Sequence, residues 1–182
     1  GIVKSKNTDS LHRGNDEGTI ACIVADKTLY KKLSPKKVLN YEHLEKILDD
    51  IPKVDISKEV ELLEWPWDLL RLSVRSLGSK TNIDKTASVH KSAIIDISRG
   101  GVIISKGSII HPFSIIQGPT YIGRNSEILP HSLIKGDTII GSACKISGEV
   151  QSSIFFDYCN KQHTGFIGNS IIGSWVNIGA GT

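Results

Sequence analysis

The residue best suited to chemistry stands near the end of the chain, in KQHTGFIGNSIIGSWVNIGAGT, residues 161–182. It is His163, and an imidazole with a reference pKa of about 6.5 can take a proton from a nucleophile near neutral pH. On position alone, a corner histidine that hydrogen-bonds locally is the simpler reading. Cys159, four positions earlier, offers a thiol, but an inert cysteine is the better expectation for so irregular a stretch. His111-Pro112 and Pro130-His131 read as corner turns.

The elements that must position His163 are set by a period of six. Isoleucine stands at 104, 110, 116, 122, 128, 134, 140 and 146. Val89 and Ile95 keep the spacing one phase earlier; Phe166, Ile172 and Ile178 keep it one phase later. Six matches neither the helical 3.6 nor simple alternation. It matches one side of a triangular solenoid, in which each hexad is a short strand plus a turn and three hexads make a coil of about 18 residues. The repeated isoleucine then points inward and packs on its copy one coil away. IGRNS, IGSAC, IGNSI and IGAGT put a small residue after the inward aliphatic, where a corner needs one. The phase slips around Ser98–Gly101 and again over Glu149–Gly165. The second slip predicts an irregular loop leaving the prism, with His163 where the phase recovers.

Residues 1–78 follow other rules. GTIACIVA, from Gly18, is a strand candidate. SPKKVLNYEHLEKILDDIP carries an N-cap serine, Ser34, then Pro35 and an apolar stripe, and predicts a helix. EWPWDLLRLSVRSLG predicts a second helix, opened by Pro66, faced by Leu69, Leu70, Val74 and Leu77, and capped by Gly78. Trp65 and Trp67 read as packing anchors. The expectation is mainly β: a left-handed parallel β-helix over 79–182, preceded by a small α/β segment over 1–78. A chain without an initial Met that stops at NIGAGT reads as a piece of something longer.

Of the 182 residues, 22 are Lys or Arg and 19 Asp or Glu, and no basic block stands out, so nucleic acid is not an expected partner. Apolar runs fall far short of a membrane span and no signal-peptide core is visible, so no membrane is expected either. The cysteines at 22, 144 and 159 form no CxxC pair and fit a reduced cytoplasm.

The terminal stretch resembles the acetyltransferase half of bifunctional sugar-1-phosphate nucleotidylyltransferases/acetyltransferases, the N-acetylglucosamine-1-phosphate uridylyltransferase type. That family reads Gly-His-x-x-[Tyr/Phe]-[LI]-Gly, then a hexad, then Asn-[IFL]-Gly-Ala-Gly-Thr. With EWPWDLLRL and GEV…NKQHTGF it is similar to a variant branch, and the likeness spans about residues 60–182. The resemblance implies a homotrimer that acetylates an amino-sugar phosphate from acetyl-CoA. It makes residues 1–78 the remnant of a nucleotidylyltransferase domain, whose parent alone would use Mg2+. It also implies His163 as general base, Asn177 and Arg124 as substrate contacts, and Ala180 as a backbone contact to acetyl-CoA, with Gly179 beside it. Phe166 stands where the family usually has Tyr, and no lysine stands near Gln151, where a substrate-binding one is expected. No Gly-rich nucleotide loop is found in 1–78.

Two other functions compete with that reading. The helix can serve as a non-catalytic trimerisation or regulatory part of a sugar nucleotidylyltransferase. The same prism carries zinc in γ-class carbonic anhydrases, but that needs two histidines close in sequence. His90, His111, His131 and His163 never approach nearer than the 20 positions between 111 and 131, and no metal is expected.

Overall fold

A computed structural model describes residues 10–13, 20–24, 46, 53–55, 63 and 65–181. The chain divides into two compact units, residues 1–64 and 65–182. In the first, β1 (Ser10–Arg13) lies between β2 (Ile20–Val24), antiparallel, and β3 (Lys53–Asp55), parallel. β2 is the strand expected within GTIACIVA. The helix expected after Ser34 falls outside the described residues, apart from Lys46.

The second unit opens with α1 (Asp68–Leu77). Its first turn is tightened by Leu69 N–H bonding to the Pro66 carbonyl at 3.3 Å, and Gly78 ends it at φ 58°. Asp68 in the first turn and Arg75 in the last suit the helix dipole. Trp65 and Trp67 do not anchor a core. They are 56% and 61% exposed and stack on each other, ring centroids 5.1 Å apart. Both precede the helix, so the apolar stripe of α1 does not carry them inward.

From Asn82 the chain winds as a left-handed parallel β-helix. The first face stacks Asn82–Ile83, Val102–Ile104, Thr120–Ile122, Thr138–Ile140, Ile154–Phe155 and Ile171–Ile172. The second stacks Ser88–Val89, Ile109–Ile110, Glu127–Ile128, Lys145–Ile146 and Asn160–Lys161. The third stacks Ile94–Asp96, Ile115–Gln117, Leu133–Ile134, Glu149–Gln151 and Phe166–Gly168. Every pair is parallel, because each strand meets its neighbour only after a full coil.

All eight periodic isoleucines are at most 1% exposed and form one core. Each such burial stabilises by about 1.5–3 kcal/mol. Inside the edges runs a second ladder, of small polar residues. Ser108, Ser114 and Ser126 each donate a hydroxyl to a carbonyl fifteen residues on, at 2.7–2.9 Å. A Cβ at Gly123 would lie 2.4 Å from the backbone of Gly141, so the glycine after the inward aliphatic is a packing requirement.

Coil length varies while register holds. Ile83 pairs with Ile104, an advance of 21; Ile104, Ile122 and Ile140 advance by 18; Phe155 follows Ile140 after 15. The first slip is therefore an insertion at the edge that holds Ser98–Gly101. The second is not a loop leaving the prism, as the periodicity predicts. It is a shortening: strands at 149–151, 154–155 and 160–161 continue the faces, and the edges absorb the missing residues. One consequence is that the inward residue near 166 is Ile167, paired with Val150, while Phe166 points out at 57% exposure.

Candidate functional site

The edge between the second and third faces carries residues 162–165 in one coil and 179–181 in the next. Asn160 pairs with Asn177, and three residues on that register sets Ala180 over His163. Adjacent coils are about 4.8 Å apart. His163, Gly179 and Ala180 thus share one exposed edge, with Phe166 opening the third face beside it and Asn177 closing the second. Asn160 Nδ2 donates to Asn177 Oδ1 at 2.7 Å, which holds the Asn177 amide at the margin of the site. The Asn160 Oδ1 is buried and has no hydrogen-bond partner. Sequence reasoning passed over Asn160; its signal is an asparagine 17 positions before Asn177, one coil away.

Arg124 lies elsewhere. It is exposed on the edge between the first and second faces, where its carbonyl accepts the Ala143 N–H at 2.8 Å. Within one chain it does not join His163.

The third face ends in a cleft of about 340 Å³, bounded by Arg99, Gln117, Pro119, Lys135, Asp137 and Gln151. Leu133 pairs with Glu149 and Ile134 with Val150, so Lys135 sits opposite Gln151. An ammonium thus stands one coil before Gln151, in the same ladder. Lys135 also pairs with Glu149. The sequence hides this because the coil between is 16 residues long instead of 18.

Under the His163 edge lies Lys161, 3% exposed, paired in register with the inward Ile146. Its Nζ donates to the carbonyls of Ser147 at 2.7 Å, His163 at 3.0 Å and Gly165 at 3.0 Å. Burial pushes its pKa below the ordinary lysine value.

Cys159 faces inward on the edge where Arg124 lies, with Sγ 3.0 Å from the Gly173 carbonyl. Burial raises its pKa, as fits a packing thiol. Among the described residues no three His, Cys, Asp or Glu side chains cluster as a metal site, and no helix is long and apolar enough to cross a membrane.

The profile of the bacterial transferase hexapeptide (six repeats) family matches residues 101–136. The central coils are thus similar to the hexapeptide repeats of bacterial transferases. The acetyltransferase domain of PglB from Neisseria gonorrhoeae FA1090 shares the fold, with TM-score 0.52 and 13% identity over 98% of this chain and 77% of that one. No curated protein sequence matches the chain significantly.

Proposed function

We propose that this β-helix transfers an acetyl group from acetyl-CoA to the amine of an amino-sugar phosphate, with His163 as general base. The observation that carries the reading is the meeting of His163 with Gly179 and Ala180 on one edge, in successive coils of a transferase-type hexapeptide helix. The amine attacks the thioester carbonyl as the imidazole takes its proton. The oxyanion that forms is met by backbone N–H groups near Gly179 and Gly181, where the absence of Cβ allows close approach. Collapse expels the CoA thiolate, which takes the proton from His163. Ala180 lines the path of the thioester. Asn177 and the face of Phe166 hold the sugar. Arg124 reaches such a site only from a neighbouring prism, which accords with a cleft between subunits of a homotrimer.

Nucleotidyl transfer with Mg2+ belongs to the proposed parent, and no residue of 1–78 is assigned a step in it. Release of CoA thiol with a panel of amino-sugar phosphates tests the acyl transfer. His163→Ala should lower the rate by about 100-fold or more. Unchanged turnover in that variant overturns the base assignment. No CoA release with any acceptor favours the non-catalytic trimerisation or regulatory role.

A further inference from the structure

Lysine is the wrong residue for the position that Lys161 holds. The pairing of Ile146 with Lys161 places it in the inward stack, and Ile178, one coil on, packs against the same core. Eight isoleucines fill the equivalent places earlier in the helix, each out of solvent. A buried ammonium is tolerated only when it is fully hydrogen-bonded, and this one is: three N–H groups meet three carbonyls.

The coil beneath explains why a cation is needed there. Between the strands ending at Ile128 and starting at Leu133, the edge has four residues; between Ile146 and Glu149 it has two, Ser147 and Gly148. The tetrapeptide 162–165 therefore overlies a truncated corner. In the full-length corner, His131 N–H reaches the Pro112 carbonyl of the preceding coil at 3.2 Å. Among the described residues, none of the N–H groups of 162–164 makes such a bond. Instead, the carbonyls of His163 and Gly165 turn inward to the ammonium. Gly148 leaves the room for this: at φ 76°, a Cβ there would lie 2.9 Å from Lys161 Nζ and 2.7 Å from the Gly165 carbonyl oxygen.

We propose that Lys161 is a positioning residue, whose sunken ammonium draws the carbonyls of His163 and Gly165 together over Ser147 and so fixes the corner that presents the imidazole. Its catalytic consequence rests on the reading of His163 as the base; its structural consequence does not.

Lys161→Ile gives the test, because isoleucine is the residue the core uses at this register. Amide hydrogen exchange is followed by mass spectrometry, alongside thermal melting and CoA release. The expected result is exchange of the Glu149 amide, which donates to the Gly165 carbonyl at 3.0 Å, at least tenfold faster, with the coils over 104–146 unchanged and the melting temperature equal or higher. The turnover number should fall at least tenfold while KM for acetyl-CoA holds. Unchanged exchange of the Glu149 amide overturns the proposal, since a mere space-filler loses nothing on becoming isoleucine. Lys161→Met keeps the length of the side chain and serves if the isoleucine variant does not fold. Global unfolding of both variants also overturns the proposal, in favour of a role in the whole prism. If the native chain releases no CoA, the exchange result still decides the role of Lys161, and only the acyl-transfer reading falls.

Discussion

The Cys144 N–H donates to the Ser126 hydroxyl at 3.0 Å, and Cys144 takes, one coil later, the inward corner place that Ser126 holds. Its own Sγ lies 3.1 Å from the Phe156 carbonyl, as the Ser126 hydroxyl lies 2.7 Å from that of Gly141. The thiol continues a ladder of corner donors. Burial pushes its pKa up to about 11.

In a Cys22→Ser background, Cys144 and Cys159 should therefore resist a thiol reagent at neutral pH in the folded protein and react fully in denaturant. Cys144→Ser should keep the fold, since serine does the same work one coil earlier. Rapid labelling of the native chain, followed by peptide mapping, contradicts this if it falls on either cysteine.

Ile128 is fully buried between Ile110 and Ile146. Ile128→Ala should cost about 2–5 kcal/mol, the loss of burial plus the void left behind. Its neighbour Glu127 pairs with Lys145 at 3.4 Å on the outer surface. Glu127→Ala should cost at most about 1 kcal/mol, because exposed pairs are screened. Urea unfolding of the two variants measures the contrast, and equal costs would contradict the inward stack.

Acid should loosen the first coil. Asp84 is held below the ordinary carboxylate value by the Thr86 hydroxyl and then its N–H, and Asp96 by Ser98 in the same way. A folded pKa below the unfolded value of about 3.9 gives stability that is present above that value and lost as pH falls through the lowered one. The double variant Asp84→Asn, Asp96→Asn should therefore melt below the native chain at neutral pH. The gap should close as pH is lowered through the carboxylate range. A gap that stays constant down to about pH 2 speaks against the Asp84 and Asp96 contacts.

Much of the prism was legible from particular residues. The isoleucines from 104 to 146 announced the inward stack, and Pro66 with Gly78 bracketed the helix. The stretch after Ile146 was not legible. A residue deleted from a corner and a loop inserted at one break a period of six equally, so Glu149–Gly165 read as a departing loop when the phase slips because the two corners after Ile146 and after Val150 are shortened. Phe166 took the phase that belongs to Ile167 for the same reason. The inward place of Lys161 was equally hidden, because a periodicity of apolar residues has no place for a buried cation.

The sequence by itself determined which residues turn inward, because burying β-branched side chains at a fixed spacing has one low-energy solution, the three-sided coil. It also brought His163 and the Gly-Ala-Gly corner into neighbouring coils. Only the tertiary structure decided which side chains face one another across coils. Lys135 lies opposite Gln151, Asn160 is bonded to Asn177, Arg124 stands on a different edge, and Lys161 sits beneath the histidine. Those neighbours depend on the length of each coil, and interstrand hydrogen bonds fix that length by keeping the faces in register while the corners give up or take on residues.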